Sequence, residues 1–282
     1  MNKRVAILLT CFNRCELTKR CLKSIYEDRA EDVQKDVYLV NDGCTDGTPE
    51  MVKSLFPDVI MLNGSGSLFW NGGMYLAFST AYKKSYDFYL WVNDDVEFLE
   101  NPITKLIASY EELASEKEDI ILTGVMVDHS LEKQTYGGIK IVNSLVPLKM
   151  QQVPYGSHYV KCDTFHGNCV LIHKTVVEKI GIMDPFYQHA FGDADYGLMA
   201  RRAGCDIFMT NYPIGVCERH DKDNKWLDSK LSYKERRAAY HAKTANPPRD
   251  WKYFCKKFCG VNWWLRYIAP DIKLLIQSIL KK

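Results

Sequence analysis

The sequence carries no excess of charge of either sign, with 37 Lys and Arg against 35 Asp and Glu. Such a chain projects no broad field toward a nucleic-acid backbone, so nucleic acid is not an expected partner. Proline and glycine are sparse, 10 and 17 in 282 residues, which excludes collagen-like and low-complexity scaffolds. Ten cysteines are present, yet none forms a CxxC pair and no signal peptide precedes them, so the expectation is a reduced, cytoplasmic setting. Without secretion the triplet Asn63-Gly64-Ser65 means nothing as a glycosylation acceptor. No window reaches the roughly 18 uninterrupted apolar residues of a membrane span, because Arg266, Pro270, Asp271 and Lys273 break the most apolar stretch. Two phosphate-binding patterns are also missing: GxxxxGK[ST] occurs nowhere, and GxGxxG does not follow the first apolar run.

What is present is the makeup of an ordinary folded protein, 46% hydrophobic and 26% charged, long enough to bury a sizeable core. Val5 to Leu9 reads as a strand, followed by a helix with Leu17, Cys21, Leu22 and Ile25 on one side. The unit repeats with Val37 to Val40 and a short helix that Thr48-Pro49 opens. A third strand, Val59 to Leu62, precedes a Gly-rich loop from Asn63 to Gly73 and a helix aligned on Met74, Ala77, Phe78 and Ala81. A fourth strand, Phe88 to Val92, runs into Asn93-Asp94-Asp95. This alternation predicts a doubly wound α/β half with a mostly parallel sheet. Beyond a helix near Ile103 to Leu113 come strand-like runs at Ile120 to Met126, Gly138 to Val142 and Tyr159 to Ile172, so a mixed or antiparallel extension is expected. Helices follow at Lys174 to Ile180 and Ala194 to Ala203, and a helical tail begins near Ser232.

Ligands of open α/β sheets sit beyond the carboxyl ends of the strands, which gathers Thr10 to Arg14, Asn41 to Thr48 and Asn93 to Asp95 at one crevice. Asp42 to Gly47 starts like a calcium loop, but Cys44 and Lys53 occupy two positions that need oxygen ligands. The adjacent carboxylates Asp94 and Asp95 repel one another unless a cation sits beside them, and a divalent metal suits that place.

The segments TCFNR, VNDGCTDGT, WVNDDV, FHGNCVLI and FGDADYGLMARRAG, in this order over residues 3 to 220, resemble the family-2 glycosyltransferases of the GT-A fold. Ser67 to Met74, SLFWNGGM, is similar to the branch containing bacterial rhamnosyltransferases of cell-surface polysaccharide assembly. The resemblance implies a nucleotide-sugar donor held by Thr10, Asn13, Arg14 and Asp42, with Gly72 and Gly73 letting backbone approach the nucleotide. It places Asp95 as the ligand of Mg²⁺ or Mn²⁺, with Asp94 beside it as a substrate or nucleotide contact, Asn93 where an Asp is common, and His220 where the family has a late metal ligand; a surface-loop role for His220 is equally open. Asp193 takes the position of the base that accepts the proton of the acceptor hydroxyl, with Gly192 where Glu is usual, and Asp195 matches the next acidic position. His166 and Asn168 fall where the family contacts sugar, or His166 is structural.

These expectations make residues 1–225 a catalytic domain, its nucleotide half about 1–100 and its acceptor half about 101–225, with 226–282 a helical extension. The implied activity is inverting transfer from a nucleoside-diphosphate sugar, dTDP-rhamnose among the candidates, to a saccharide or lipid-linked saccharide in polysaccharide synthesis of the cell envelope. A sugar-nucleotide nucleotidyltransferase and a binding module that has lost catalysis are the alternatives. Aromatic residues such as Trp251, Phe254, Trp263 and Trp264, interleaved with Lys252, Lys256 and Arg266, leave three readings of the tail open: a lipid interface at the inner membrane face, packing on the catalytic domain, or an oligomer contact.

Overall fold

Val5-Ala6-Ile7-Leu8-Leu9 contains no polar residue, so a strand made from it must be covered on both faces, and all five side chains are fully buried. A computed structural model of the chain describes residues 2–29, 32–115, 117–142, 148–219, 225–228, 230–243 and 245–280. The first half alternates strand and helix: β1 (Lys3–Cys11), α1 (Cys15–Tyr26), β2 (Val33–Asn41), α2 (Thr48–Leu55), β3 (Ile60–Asn63), α3 (Phe69–Ala81) and β4 (Phe88–Val92). β3, β2, β1 and β4 lie side by side in that order and run parallel. The chain moves outward from β1 to β3 and then returns to the far side of β1 with β4. That reversal opens a crevice beyond the carboxyl ends of β1 and β4.

β5 (Glu97–Phe98) and α4 (Pro102–Leu113) lead into β6 (Ile120–Val127), where the alternation stops. Short strands follow: β7 (Gln134–Tyr136), β8 (Gly138–Ile141), β9 (Met150–Gln152), β10 (Val160–Lys161), β11 (Thr164–Phe165) and β12 (Cys169–His173). Then come α5 (Lys174–Ile180), α6 (Gly192–Arg202), β13 (Asp206–Val216), α7 (Tyr233–Tyr240), α8 (Pro248–Phe258) and α9 (Trp263–Ile279). β12 inserts antiparallel between β4 and β6, and β6 pairs parallel with β13. A separate antiparallel sheet joins β11, β8 and β9. The fold is therefore the doubly wound, mostly parallel α/β architecture with a mixed extension.

Alternate residues of β1 feed two cores. Val5, Ile7 and Leu9 pack with Leu22, Ile25 and Leu106 on one face, while Ala6 and Leu8 meet Phe78, Trp91 and Tyr196 on the other. A third, smaller cluster of Tyr187, Leu198, Trp251 and Phe254 fastens α8 to α6. Burying Trp251 and Phe254 there contributes about 2–3 kcal/mol each. Part of the aromatic tail thus packs against α6.

Two element boundaries correct the sequence expectation. The loop after β3 ends at Leu68, because the Asp42 carboxylate receives the backbone N–H groups of Gly66, Leu68 and Phe69 at 2.8–3.1 Å. A charge supplied from β2 satisfies donors at the start of α3 that would otherwise be orphaned, so the helix begins at Phe69. The run Tyr159 to Ile172 is three short strands, interrupted by Cys162-Asp163 and by His166 to Asn168.

Candidate active site

The loops after β1, β2 and β4 and the turn before α6 enclose a cleft of about 890 Å³. Thr10, Arg14, Asp42, Asp95, His166, Asn168 and Asp193 all line it, so seven of the residues singled out from sequence converge.

The paired acids find their cation within the chain. Arg14 Nη1 donates to Asp95 Oδ2 at 2.9 Å, and Nη2 donates to Asp94 Oδ1. Asp94 is 1% exposed, and burial raises its pKa to about 7 against the lowering influence of Arg14. Burial alone would lower the Arg14 pKa, but the two carboxylates outweigh it and raise it. Asp94 therefore lies beneath the cleft as the partner of Arg14, and Asp95 is the acid that faces it. Arg14→Met leaves two adjacent carboxylates without a counter-charge and should cost about 2–3 kcal/mol, below the full value for a buried pair because Arg14 is partly exposed. Adding Asp94→Asn should recover much of that loss in urea unfolding; full additivity of the two changes would show that the ion pair carries no coupling.

Four other expectations move. The Asn13 side chain turns away from the cleft, where Oδ1 accepts the Thr45 N–H at 2.7 Å and pins the β2–α2 turn. Its backbone is left-handed (φ 50°), a conformation Asn tolerates. Gly72 and Gly73 lie inside α3 rather than in a loop, and Gly73 is there for helix–strand contact: a Cβ would stand 2.1 Å from Thr10 Oγ1. Asp195 is 2% exposed and points the other way from Asp193, since residues two apart do not share a helix face. Its carboxylate accepts from Tyr187 Oη at 2.8 Å and pairs with Lys257 Nζ at 2.8 Å, tying α6 to α8. Asp42 keeps a place on the cleft wall, with its carboxylate organising the loop into α3. His220 lies outside the described residues.

Asp193, in the first turn of α6, lines the same cleft. Oδ2 accepts the Gly167 N–H at 3.0 Å and Oδ1 the Ala194 N–H at 2.7 Å, which fixes the carboxylate while leaving it at the cleft. Its neighbour Gly192 has a packing cause: a Cβ would stand 1.7 Å from Asn71 Oδ1. Asn71, buried on α3, donates through Nδ2 to the Asp184 and Tyr187 carbonyls at 3.0 and 2.8 Å and so holds the segment that delivers Asp193. His166 meets the Gly137 carbonyl through Nδ1 at 3.0 Å, and burial lowers its pKa against the pull of Asp193, keeping the ring neutral at pH 7. Asn168 is buried beneath it and accepts the Asn93 N–H at 3.0 Å through its carbonyl.

Sequence reasoning missed the aromatic walls. Phe69, Trp70, Tyr136, His189 and Phe191 line the same cleft as Asp95 and Asp193, with Arg219 also on its lining. Asn93 is not a free ligand, because its Oδ1 accepts Trp70 Nε1–H at 2.7 Å. Trp70 lies against Gly167, where a Cβ would stand 2.6 Å from the indole. Phe69 and Phe191 both adopt left-handed backbone (φ 55° and 72°), a strain that persists where the surroundings demand it and concentrates at functional sites.

The donor set for a metal is accordingly narrow. Among the described residues no three His, Cys, Asp or Glu side chains gather to hold an ion. Of the paired acids, Asp95 is the one that offers a hard oxygen ligand to the cleft, which suits Mg²⁺ or Mn²⁺, ions that complete their shells with water and substrate phosphates.

Fold and cleft together define a GT-A-type α/β enzyme. Residues 6–181, more than half of the chain, match the family described as glycosyl transferase family 2, and the chain belongs to that family of glycosyltransferases. No curated protein matches it in sequence. Among solved structures it is similar to GalNAc-T7 with UDP, GalNAc and Mn²⁺ (TM-score 0.61, 11% identity), covering 96% of this chain and 57% of that one. It is also similar to the mannosyltransferase PcManGT from Pyrobaculum calidifontis in complex with GDP-Man and Mn²⁺ (TM-score 0.55, 14% identity), covering 100% of this chain and 88% of that one. At these identities the likeness is one of fold.

Proposed function

We propose that the cleft binds a nucleoside-diphosphate sugar and transfers the sugar, with inversion, to a hydroxyl of a saccharide or lipid-linked saccharide. The observation that carries this reading is the placement of Asp95 with Arg14 and of Asp193 on one cleft that aromatic side chains also line. The donor's diphosphate belongs near Asp95, the bound nucleotides and Mn²⁺ of the two similar structures agreeing with that chemistry. Asp95 would hold a divalent cation there, and such an ion, when bound, neutralises charge on the leaving diphosphate. Arg14 contributes positive charge to the same place. Asp193 accepts the proton of the acceptor hydroxyl as its oxygen bonds to the anomeric carbon. The bond from that carbon to the diphosphate oxygen breaks in the same step, and its electron pair leaves with the nucleotide. Trp70, held by Asn93, supplies an apolar surface for a pyranose ring in the same cleft.

The SLFWNGGM segment favours dTDP-rhamnose as donor, and envelope polysaccharide synthesis on the cytoplasmic side as the setting. Gly192 does not favour the binding-module alternative, because Asn71 leaves no room there for a side chain of any kind. A thermal-shift screen against UDP, GDP, dTDP and CMP, with and without Mg²⁺ or Mn²⁺, tests the reading. At about a hundredfold excess over Kd the correct nucleotide should stabilise by about 2.7 kcal/mol, a rise of about 5 °C. Stabilisation by dTDP selects the rhamnose donor; no shift with any nucleotide overturns the reading.

A further inference from the structure

α9 turns an apolar face outward. Its inner side packs on α7 and α8 through Leu274, with Asp271 meeting Arg237 and His241 at 2.8 and 3.0 Å and Gln277 receiving Arg236 at 2.7 Å. On the side away from Leu274 and Gln277, Trp264, Leu265, Ile272, Leu275, Ile276 and Ile279 are each 45–61% exposed. At 3.6 residues per turn these six fall on one continuous arc of about 120°. Exposed apolar residues are ordinary when scattered singly, whereas a contiguous stripe along a 17-residue helix is a docking surface.

The charges around the stripe identify its occupant. Among the described residues of α8 and α9, the exposed charged side chains are Arg249, Lys252, Lys256 and Lys273, all cationic. The acids turn inward: Asp250 is buried and accepts the Gln188 N–H at 3.2 Å, and Asp271 is paired. Lys256 Nζ sits 5.0 Å from the Trp263 ring, which places a cation beside the first turn of α9. A second copy meeting this face across a two-fold axis would set these cations against one another. A surface of anionic lipid headgroups neutralises them and accepts the apolar arc. No helix among the described residues is long and apolar enough to cross a membrane, so α9 lies along the surface.

We propose that α9 docks on an anionic lipid bilayer, with the arc from Trp264 to Ile279 in the acyl boundary and the lysines of α8 at the headgroups. This surface stands apart from the chemistry of the cleft, and vesicle binding can be read whether or not a nucleotide binds. The test is co-flotation of the full chain with vesicles of phosphatidylglycerol mixed with phosphatidylcholine, and with phosphatidylcholine alone. Binding to the anionic vesicles is expected, about tenfold or more weaker on the neutral ones and weakened by salt. Ile272→Glu with Ile276→Glu should abolish it while leaving the melting temperature unchanged, since both side chains already face solvent. Lys252→Glu with Lys256→Glu should weaken it by about tenfold or more without touching the apolar arc. Failure of the wild-type chain to float with anionic vesicles overturns the proposal. So does a dimer in analytical ultracentrifugation that Ile272→Glu with Ile276→Glu splits, which would assign the arc to a second copy.

Discussion

Asp193→Asn should lower kcat by about 10²- to 10⁴-fold while the KM for the donor stays within a few-fold of wild type. Asn has the shape of Asp and one oxygen that can still receive the Gly167 N–H, now 3.0 Å from Oδ2, while its amide nitrogen cannot receive the Ala194 N–H, so one of the two bonds that anchor the turn into α6 is kept. What is lost is a group able to take a proton from the attacking hydroxyl. Steady-state release of nucleoside diphosphate in the presence of acceptor measures the change. An effect confined to KM would place Asp193 in binding rather than in proton transfer.

The second large effect concerns the neighbouring glycine. Gly192→Glu restores the acidic pair that the family usually has, yet it should destabilise the protein by about 1–3 kcal/mol or more and reduce activity with it. A Cβ at this position lies 1.7 Å from Asn71 Oδ1 and 2.7 Å from Asn71 Cγ, so the clash precedes any question of charge. Gly192→Ala should move stability in the same direction. Asn71→Ala is not a relief, because it deletes the donor to the Asp184 and Tyr187 carbonyls that positions the loop before α6. Urea midpoints of the two glycine variants check the prediction. A Gly192→Glu protein as stable as wild type and more active would mark the position as an eroded carboxylate site.

Much of the fold was legible because β1 and β4 are nearly continuous apolar runs and β2 contains one, Val37 to Val40, a pattern expected of a sheet covered on both faces. The crevice followed from strand order, and its polar residues from their position after strand ends. The failures share one cause, that sequence adjacency does not give direction or distant partners. Asp94 and Asp95 are neighbours, yet one is buried under Arg14 and the other lines the cleft. Asp195 follows Asp193 by two residues and serves a buried ion pair on α8. The start of α3 depends on Asp42, more than twenty residues upstream, which no local capping pattern reveals. In the SLFWNGGM segment the glycines drew the reading of backbone approaching the nucleotide, whereas Ser67, Phe69 and Trp70 are the residues that reach the cleft. Phe191 opens the segment FGDADYGLMARRAG, but its direction into the cleft rests on a left-handed backbone at a non-glycine residue, which the sequence does not reveal.

The central claim is a division of labour across one cleft, with donor binding at Asp95 and proton transfer at Asp193. Calorimetric titration of the nucleotide that stabilises the protein, in the presence of Mn²⁺, into wild type, Asp95→Ala and Asp193→Asn tests it most directly. Asp95→Ala should weaken binding by about tenfold or more, equivalent to about 1.4 kcal/mol, while Asp193→Asn binds as wild type does. Equal loss of affinity in both variants would contradict the account.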